Sequence, residues 1–119
     1  MNSPAPFPQI HLRITLRPGS AFGPGKAELL EKIAATGSIS AAARQMHMSY
    51  KRAWQLVDDM NRSFSQPVVN TLAGGARGGG ANLTDRGKRV VEVYRNLQKK
   101  IELSATRELA ALASYAMPC

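Results

Sequence analysis

Acidic residues are scarce in this chain. Eight Asp and Glu stand against sixteen Lys and Arg over 119 residues, a formal charge of +8. Cysteine is scarcer still: Cys119, the last residue, is the single one, so no internal disulfide can form and a reducing compartment fits. No apolar run approaches the ~20 residues needed to cross a bilayer. The opening MNSPAPFPQI lacks a charged start and a continuous apolar core, so a secretory signal is not expected. Metal ligands and nucleophiles are equally thin. His11 on the outer face of a strand, His47 in a turn and Cys119 at the end build neither a ligand set nor a nucleophile–base pair. No enzyme, metal or cofactor is expected, and the location is expected to be cytoplasmic.

What remains is a strongly basic chain with 44% hydrophobic residues, enough for a core. Such a chain meets a polyanion, meaning nucleic acid or an anionic membrane face. Residues 1–8, with three prolines, read as a flexible leader, and 9–119 as one domain. Gln9–Arg17 alternates strictly, with Ile10, Leu12, Ile14 and Leu16 on one side, as a half-buried strand does. The stretch PGSAFGPG supplies turn chemistry, and Pro24 suits the first turn of a helix whose apolar face is Leu29, Leu30, Ile33 and Ala34. Gly37 ends it. Ser40 is the expected cap of a second, two-turn helix. Ser49 caps a third, to about Phe64, with the stripe Ala53, Val57, Met60 and Phe64.

Beyond Pro67, VVNTLA and ANLT read as two strands joined by the glycine-rich loop GGARGGG. Thr84 then caps a long helix whose seam, from Val90 through Tyr94, Leu97, Ile101, Ala105, Leu109 and Leu112 to Ala116, is longer than one small domain covers. It is expected to pair with a second copy. Strand, three helices, hairpin and long helix make a winged helix-turn-helix: mostly α with a small β-hairpin.

In that arrangement the second helix of the pair lies in the DNA major groove and the first braces it. Ala41, Ala42 and Ala43 let the two cross closely. Ser49, Tyr50, Lys51, Arg52 and Gln55 sit at the start of the third helix, off its buried stripe, with donors and acceptors for phosphates and base edges. No acid falls between Glu31 and Asp58, or between Met60 and Thr84, and those windows hold Ser40, Arg44 and the wing residue Arg77. Trp54, beside the stripe, is expected as a core wedge, whereas Tyr50 is expected at the groove because its hydroxyl would otherwise need a buried partner. Asp58 and Asp59 are expected to solvate the far side of the helix. Neither glycine stretch makes a nucleotide loop: GGARGGG is followed by four residues before any helix, and GSAFGPGKA has Ala27 where Ser or Thr must bind magnesium.

The run GSISAAARQMHMSYKRAWQLVDDMN, with TLAGGARGGGANLTDRGKRVVEVYRNL after it, resembles the DNA-binding half of the molybdenum-dependent transcriptional regulators (ModE type). More loosely it is similar to the LysR-type helix-turn-helix. The resemblance implies a bacterial homodimer on a palindromic operator, usually repressing molybdate uptake genes. The family's molybdate-binding region has no counterpart in these residues, so effector control is expected to need a separate partner. Two other classes fit the composition: non-specific architectural DNA binding, which would show flat affinity across sequences, and a protein-binding winged helix. Modules of the last kind usually lose the third-helix cations that Lys51 and Arg52 supply here.

Overall fold

A short antiparallel hairpin, β1 (Ile14–Arg17) and β2 (Ser20–Phe22), opens the computed structural model, which describes residues 7–75 and 78–118. Three helices follow: α1 (Pro24–Thr36), α2 (Ile39–Gln45) and α3 (Tyr50–Ser63). The wing is β3 (Val69–Gly75) paired antiparallel with β4 (Gly78–Leu83), and α4 (Asp85–Ser104) and α5 (Thr106–Tyr115) complete the order. This is the winged helix-turn-helix expected. No helix among the described residues is long and apolar enough to cross a membrane.

The core is where the helical stripes meet. Leu29, Leu30 and Ile33 of α1, Ile39, Ala42 and Ala43 of α2, and Ala53, Val57 and Met60 of α3 are buried together with Val68, Val69 and Ala81 of the wing. Ala34, expected on the inner face of α1, is exposed, and Ala27 fills that face instead. Buried Phe22 meets Phe64 and Tyr94 edge-on, with ring centroids 5.8 and 5.1 Å apart. These contacts fasten the first hairpin to α3 and α4.

The expected strand at Gln9–Arg17 forms only from Ile14 onward, because its partner is the short β2 segment read as turn. Leu12, before it, gives its carbonyl to the Tyr94 hydroxyl at 2.6 Å rather than to a strand. Burial pushes the Tyr94 phenol above its usual range, partly opposed by the Arg95 guanidinium, so the hydroxyl stays protonated and donates. The glycine-rich stretch is also more ordered than a loop. Strands β3 and β4 extend through it to the pair Gly75–Gly78, leaving only 76 and 77 outside the described residues.

The long C-terminal helix is two helices. At the break, Ser104 Oγ donates to the Ile101 carbonyl at 3.0 Å and Thr106 Oγ1 to the Leu103 carbonyl at 2.9 Å. Hydroxyls that bond back to carbonyls compete with the helix ladder and bend it. Helix α5 buries none of its residues.

Where α4 begins, Gly87 lies so close to Val68 that a Cβ on it would stand 2.1 Å from the Val68 carbonyl oxygen. Gly87→Ala is therefore expected to cost about 3 kcal/mol, lowering Tm by roughly 10–20 °C. Gly25, whose added Cβ meets nothing within 4 Å, provides the control. Thermal unfolding of Gly87→Ala within about 2 °C of the wild type, like that expected of Gly25→Ala, would show the approach to be looser than described.

Candidate nucleic-acid interface

Two N-caps set the helix-turn-helix geometry. Ser49 Oγ accepts the Arg52 N–H at 3.0 Å and starts α3 as expected. The cap of α2 is Ser38, whose Oγ accepts the Ala41 N–H at 3.1 Å, and not Ser40, which lies inside the first turn. Ile39 explains the shift: starting the helix at 39 buries its side chain, which a start after Ser40 would leave outside the helix. Between the helices His47 takes a left-handed φ of 56°. The N–H groups of Met46 and Met48 both reach the Ala43 carbonyl, at 3.1 and 3.0 Å, and close the turn.

Along α3, Lys51, Gln55, Asp58 and Arg62 recur at helical spacing on the exposed face, opposite Ala53, Val57 and Met60. The far half of this face is electrically closed, because Asp58 pairs with Arg62 at 3.1 Å. Asp59 does not solvate the helix as expected; its carboxylate holds Lys26 at 2.6 Å and ties α3 to α1. Only the near half, with exposed Tyr50, Lys51, Arg52 and Gln55, presents uncompensated positive charge. Arg52 and Gln55 line a shallow depression shared with Arg13 and Met48. On α2, Arg44 Nη1 donates to Ser40 Oγ at 3.0 Å, so these two form one exposed polar unit. Arg77 lies outside the described residues.

Trp54 is the clearest departure from expectation. It is 36% exposed, and its ring meets that of Tyr50 edge-on at 6.1 Å instead of wedging into the core. Ala53 and Val57 already fill the inner face, and Trp54 falls on the flank that looks toward the wing. Arg13 was also missed: it faces out from the segment before β1, and only the fold brings it beside Arg52.

The wing is held to α3 by Asn61, another residue the sequence did not single out. Its Oδ1 accepts the N–H groups of Val68 and Val69 at 2.8 and 3.1 Å, and its Nδ2 donates to the Val69 carbonyl at 3.2 Å. The other end is tied by the Ala81 N–H, which donates to the Gly37 carbonyl at 2.9 Å. A second surface lies on the far side of the molecule. It is an apolar cleft of about 440 Å³ walled by Ile14, Leu16, Phe64, Val90, Val93 and Leu97, with Arg86 and Arg89 at its rim.

Comparison with known proteins agrees with this geometry. The family model for bacterial regulatory helix-turn-helix proteins of the lysR family matches residues 25–88. The molybdenum transport protein ModE of Azotobacter vinelandii is 42% identical over 89 residues, 75% of this chain and 33% of that protein. The DNA-binding transcriptional dual regulator ModE of Escherichia coli (strain K12) is 37% identical over 86 residues, 72% of this chain and 33% of the relative. The chain thus spans about a third of the length of these relatives. Among solved structures, the crystal structure of the CbnR_DBD–DNA complex shares the fold with a TM-score of 0.57 at 20% identity, covering 74% of this chain and 95% of that one.

Replacing Asn61 with Ala should cost about 2–3 kcal/mol, since it orphans two backbone donors at Val68 and Val69. Amide exchange should accelerate first at those two positions. Unchanged protection there would mean that Asn61 does not hold the wing.

Proposed function

From the premise that this chain belongs to the bacterial regulatory helix-turn-helix proteins of the lysR family, we propose that it is a sequence-specific transcriptional regulator. It binds a palindromic operator in double-stranded DNA as a homodimer and represses by occupying it. The observation that carries the reading is the charge division on α3. Lys51, Arg52 and Gln55 stand exposed at its start while Asp58 and Asp59 are spent on Arg62 and Lys26. A carboxylate near phosphate costs binding, so the first two turns are the part that enters the major groove. Lys51 and Arg52 suit guanine O6 and N7, Gln55 suits adenine, and Ser49, Tyr50 and the Ser40–Arg44 unit suit the flanking phosphates. Arg77 is assigned to the wing contact. The relatives, a DNA-binding dual regulator and a molybdenum transport protein by name, support this reading and make molybdenum-related promoters the first targets to try.

The dimer contact is assigned to the apolar cleft together with the exposed Leu97, Leu103 and Leu112 of α4 and α5. Exposed apolar surface of this extent is what a second copy removes from water. Two-fold symmetry then sets the reading helices about 34 Å apart, one turn of DNA.

Selection of duplexes from a random pool should enrich a motif with two-fold symmetry; unenriched DNA lost as salt rises would favour architectural binding. In competition assays Arg52→Ala should relax base choice at one position of each half-site by about tenfold. Arg44→Ala should weaken all duplexes alike and reduce the salt dependence by about one phosphate. Equal loss on selected and random DNA for Arg52→Ala contradicts its role as a reader. In sedimentation equilibrium, Leu97→Glu should weaken the dimer at least about tenfold; an unaltered dimer would remove Leu97 from the interface.

A further inference from the structure

Beside the cationic end of α3 lies a groove of about 260 Å³ of different character. Ile39 and Ala81, 5% and 3% exposed, form its floor. Tyr50 and Trp54 make one wall, and Leu72 at the base of the wing makes the other. These three are 55%, 36% and 54% exposed, and the two rings brace each other edge-to-face at 79°. Two of the hydroxyls on the rim are engaged, since Ser38 Oγ caps α2 and Ser40 Oγ accepts from Arg44, and Thr71 and Tyr50 add two more at the edge. What the groove offers a visitor is an aromatic and aliphatic floor and walls with a polar rim, beside the positive charge of Arg44, Lys51 and Arg52.

That combination narrows the occupant. The charge selects a polyanion, and the groove then has to meet an apolar part of it. Phosphates and base edges are polar. The apolar group that a duplex projects into the major groove is the 5-methyl of thymine. A core cannot use this surface, because the stripe of Ala53, Val57 and Met60 already closes the inner face of α3.

We propose that Tyr50 and Trp54 read thymine through its 5-methyl group, with Leu72 closing the far wall against water. The assignment rests on the reading of α3 as the helix that enters the major groove. It goes beyond that reading in making base choice partly apolar. The cationic residues then set affinity and the guanine or adenine positions, and the aromatic pair sets where thymine stands.

The experiment uses the full chain and a duplex obtained by the selection described above. Each thymine is replaced in turn by deoxyuridine, which removes the methyl and leaves base pairing and hydrogen-bonding edges intact. At one or two positions per half-site the loss of the methyl should weaken binding about fourfold, the equivalent of one methyl returned to water. Trp54→Ala should bind the thymine and uracil duplexes equally while still preferring both over a scrambled duplex. Tyr50→Ala, at a more exposed position, should behave likewise and guards against a folding defect in the first variant. Insensitivity of the wild type to every uracil substitution overturns the proposal, even where Trp54→Ala weakens binding, because the contact is then to sugar. Thymine preference that survives in both variants overturns it too. A chain that prefers no duplex at all removes the operator reading along with this one, an outcome distinct from specific binding blind to the methyl.

Discussion

The peptide at Val68 is the point on which the geometry of this protein turns. Its side chain is fully buried. Its N–H is taken by Asn61 of α3, and its carbonyl accepts the Thr84 N–H at 3.0 Å, immediately before α4. Thr84 adds a second strap, donating its hydroxyl to the Pro67 carbonyl at 2.7 Å while the same oxygen caps α4 by accepting the Gly87 N–H at 2.9 Å. Gly87 has no side chain, so the first turn of α4 can press against the Val68 carbonyl. One residue thus joins α3, the wing and α4. A surface that must match a rigid duplex gains most from such fixing, because ordering done during folding is not charged against binding.

Charge is arranged on the same plan. The acids are spent behind the interface. Lys26–Asp59 joins α1 to α3, and Glu31 of α1 receives the Arg95 guanidinium of α4 at 2.6 and 3.0 Å. The hydrogen bond to Glu31 raises the Arg95 pKa above its ordinary value despite the opposing effect of burial, so the guanidinium stays charged. Ion pairs that keep solvent on one side add little stability, on the order of 1 kcal/mol each. Their larger consequence is electrostatic: with Asp59 and Glu31 neutralised, the field in front of α3 comes from Lys51, Arg52 and Arg44. The excess of eight positive charges seen in the composition becomes a directed one only through this pairing.

Much of the scaffold was legible in the residues. The α3 stripe, the caps Ser49 and Thr84, Gly37 at the end of α1 and the wing between α3 and α4 all follow from local chemistry, which short segments carry in themselves. The failures were tertiary. Alternation at Gln9–Arg17 promised a long strand, but a strand needs a partner, and only Ser20–Phe22 was there to pair. Ser38 and Ser40 are equal as caps in isolation; the burial of Ile39 decided between them. The exposure of Trp54 depended on how fully alanine and valine closed the inner face, which no periodicity states. Asn61 looks like any polar helix residue until the wing folds back onto it. The seam from Val90 to Ala116 runs straight past Ser104 and carries no sign of the break there; two hydroxyls bonding backward decided it.

The two tethers of the wing also determine what the groove beside Trp54 can discriminate. One is Asn61 with Val68. The other is the bond from the Ala81 N–H to the carbonyl of Gly37, a residue whose left-handed φ of 72° both ends α1 and turns that carbonyl toward the wing. The backbones are close enough there that a side chain at Gly80 would come within 3.2 Å of the Gly37 oxygen. Tyr50 and Trp54 face Leu72 across the groove, and these two tethers hold the backbones that carry its walls. A pocket held this way selects by size, and one methyl is worth about 0.8 kcal/mol, the fourfold effect expected of deoxyuridine. The exposed cations cannot supply that discrimination, since their N–H donors meet phosphates and polar base edges and not a methyl. Reading of polar base edges by the cations and of a methyl by an apolar wall are therefore complementary demands, and the bonds at Val68 and Gly37 let one small domain meet both.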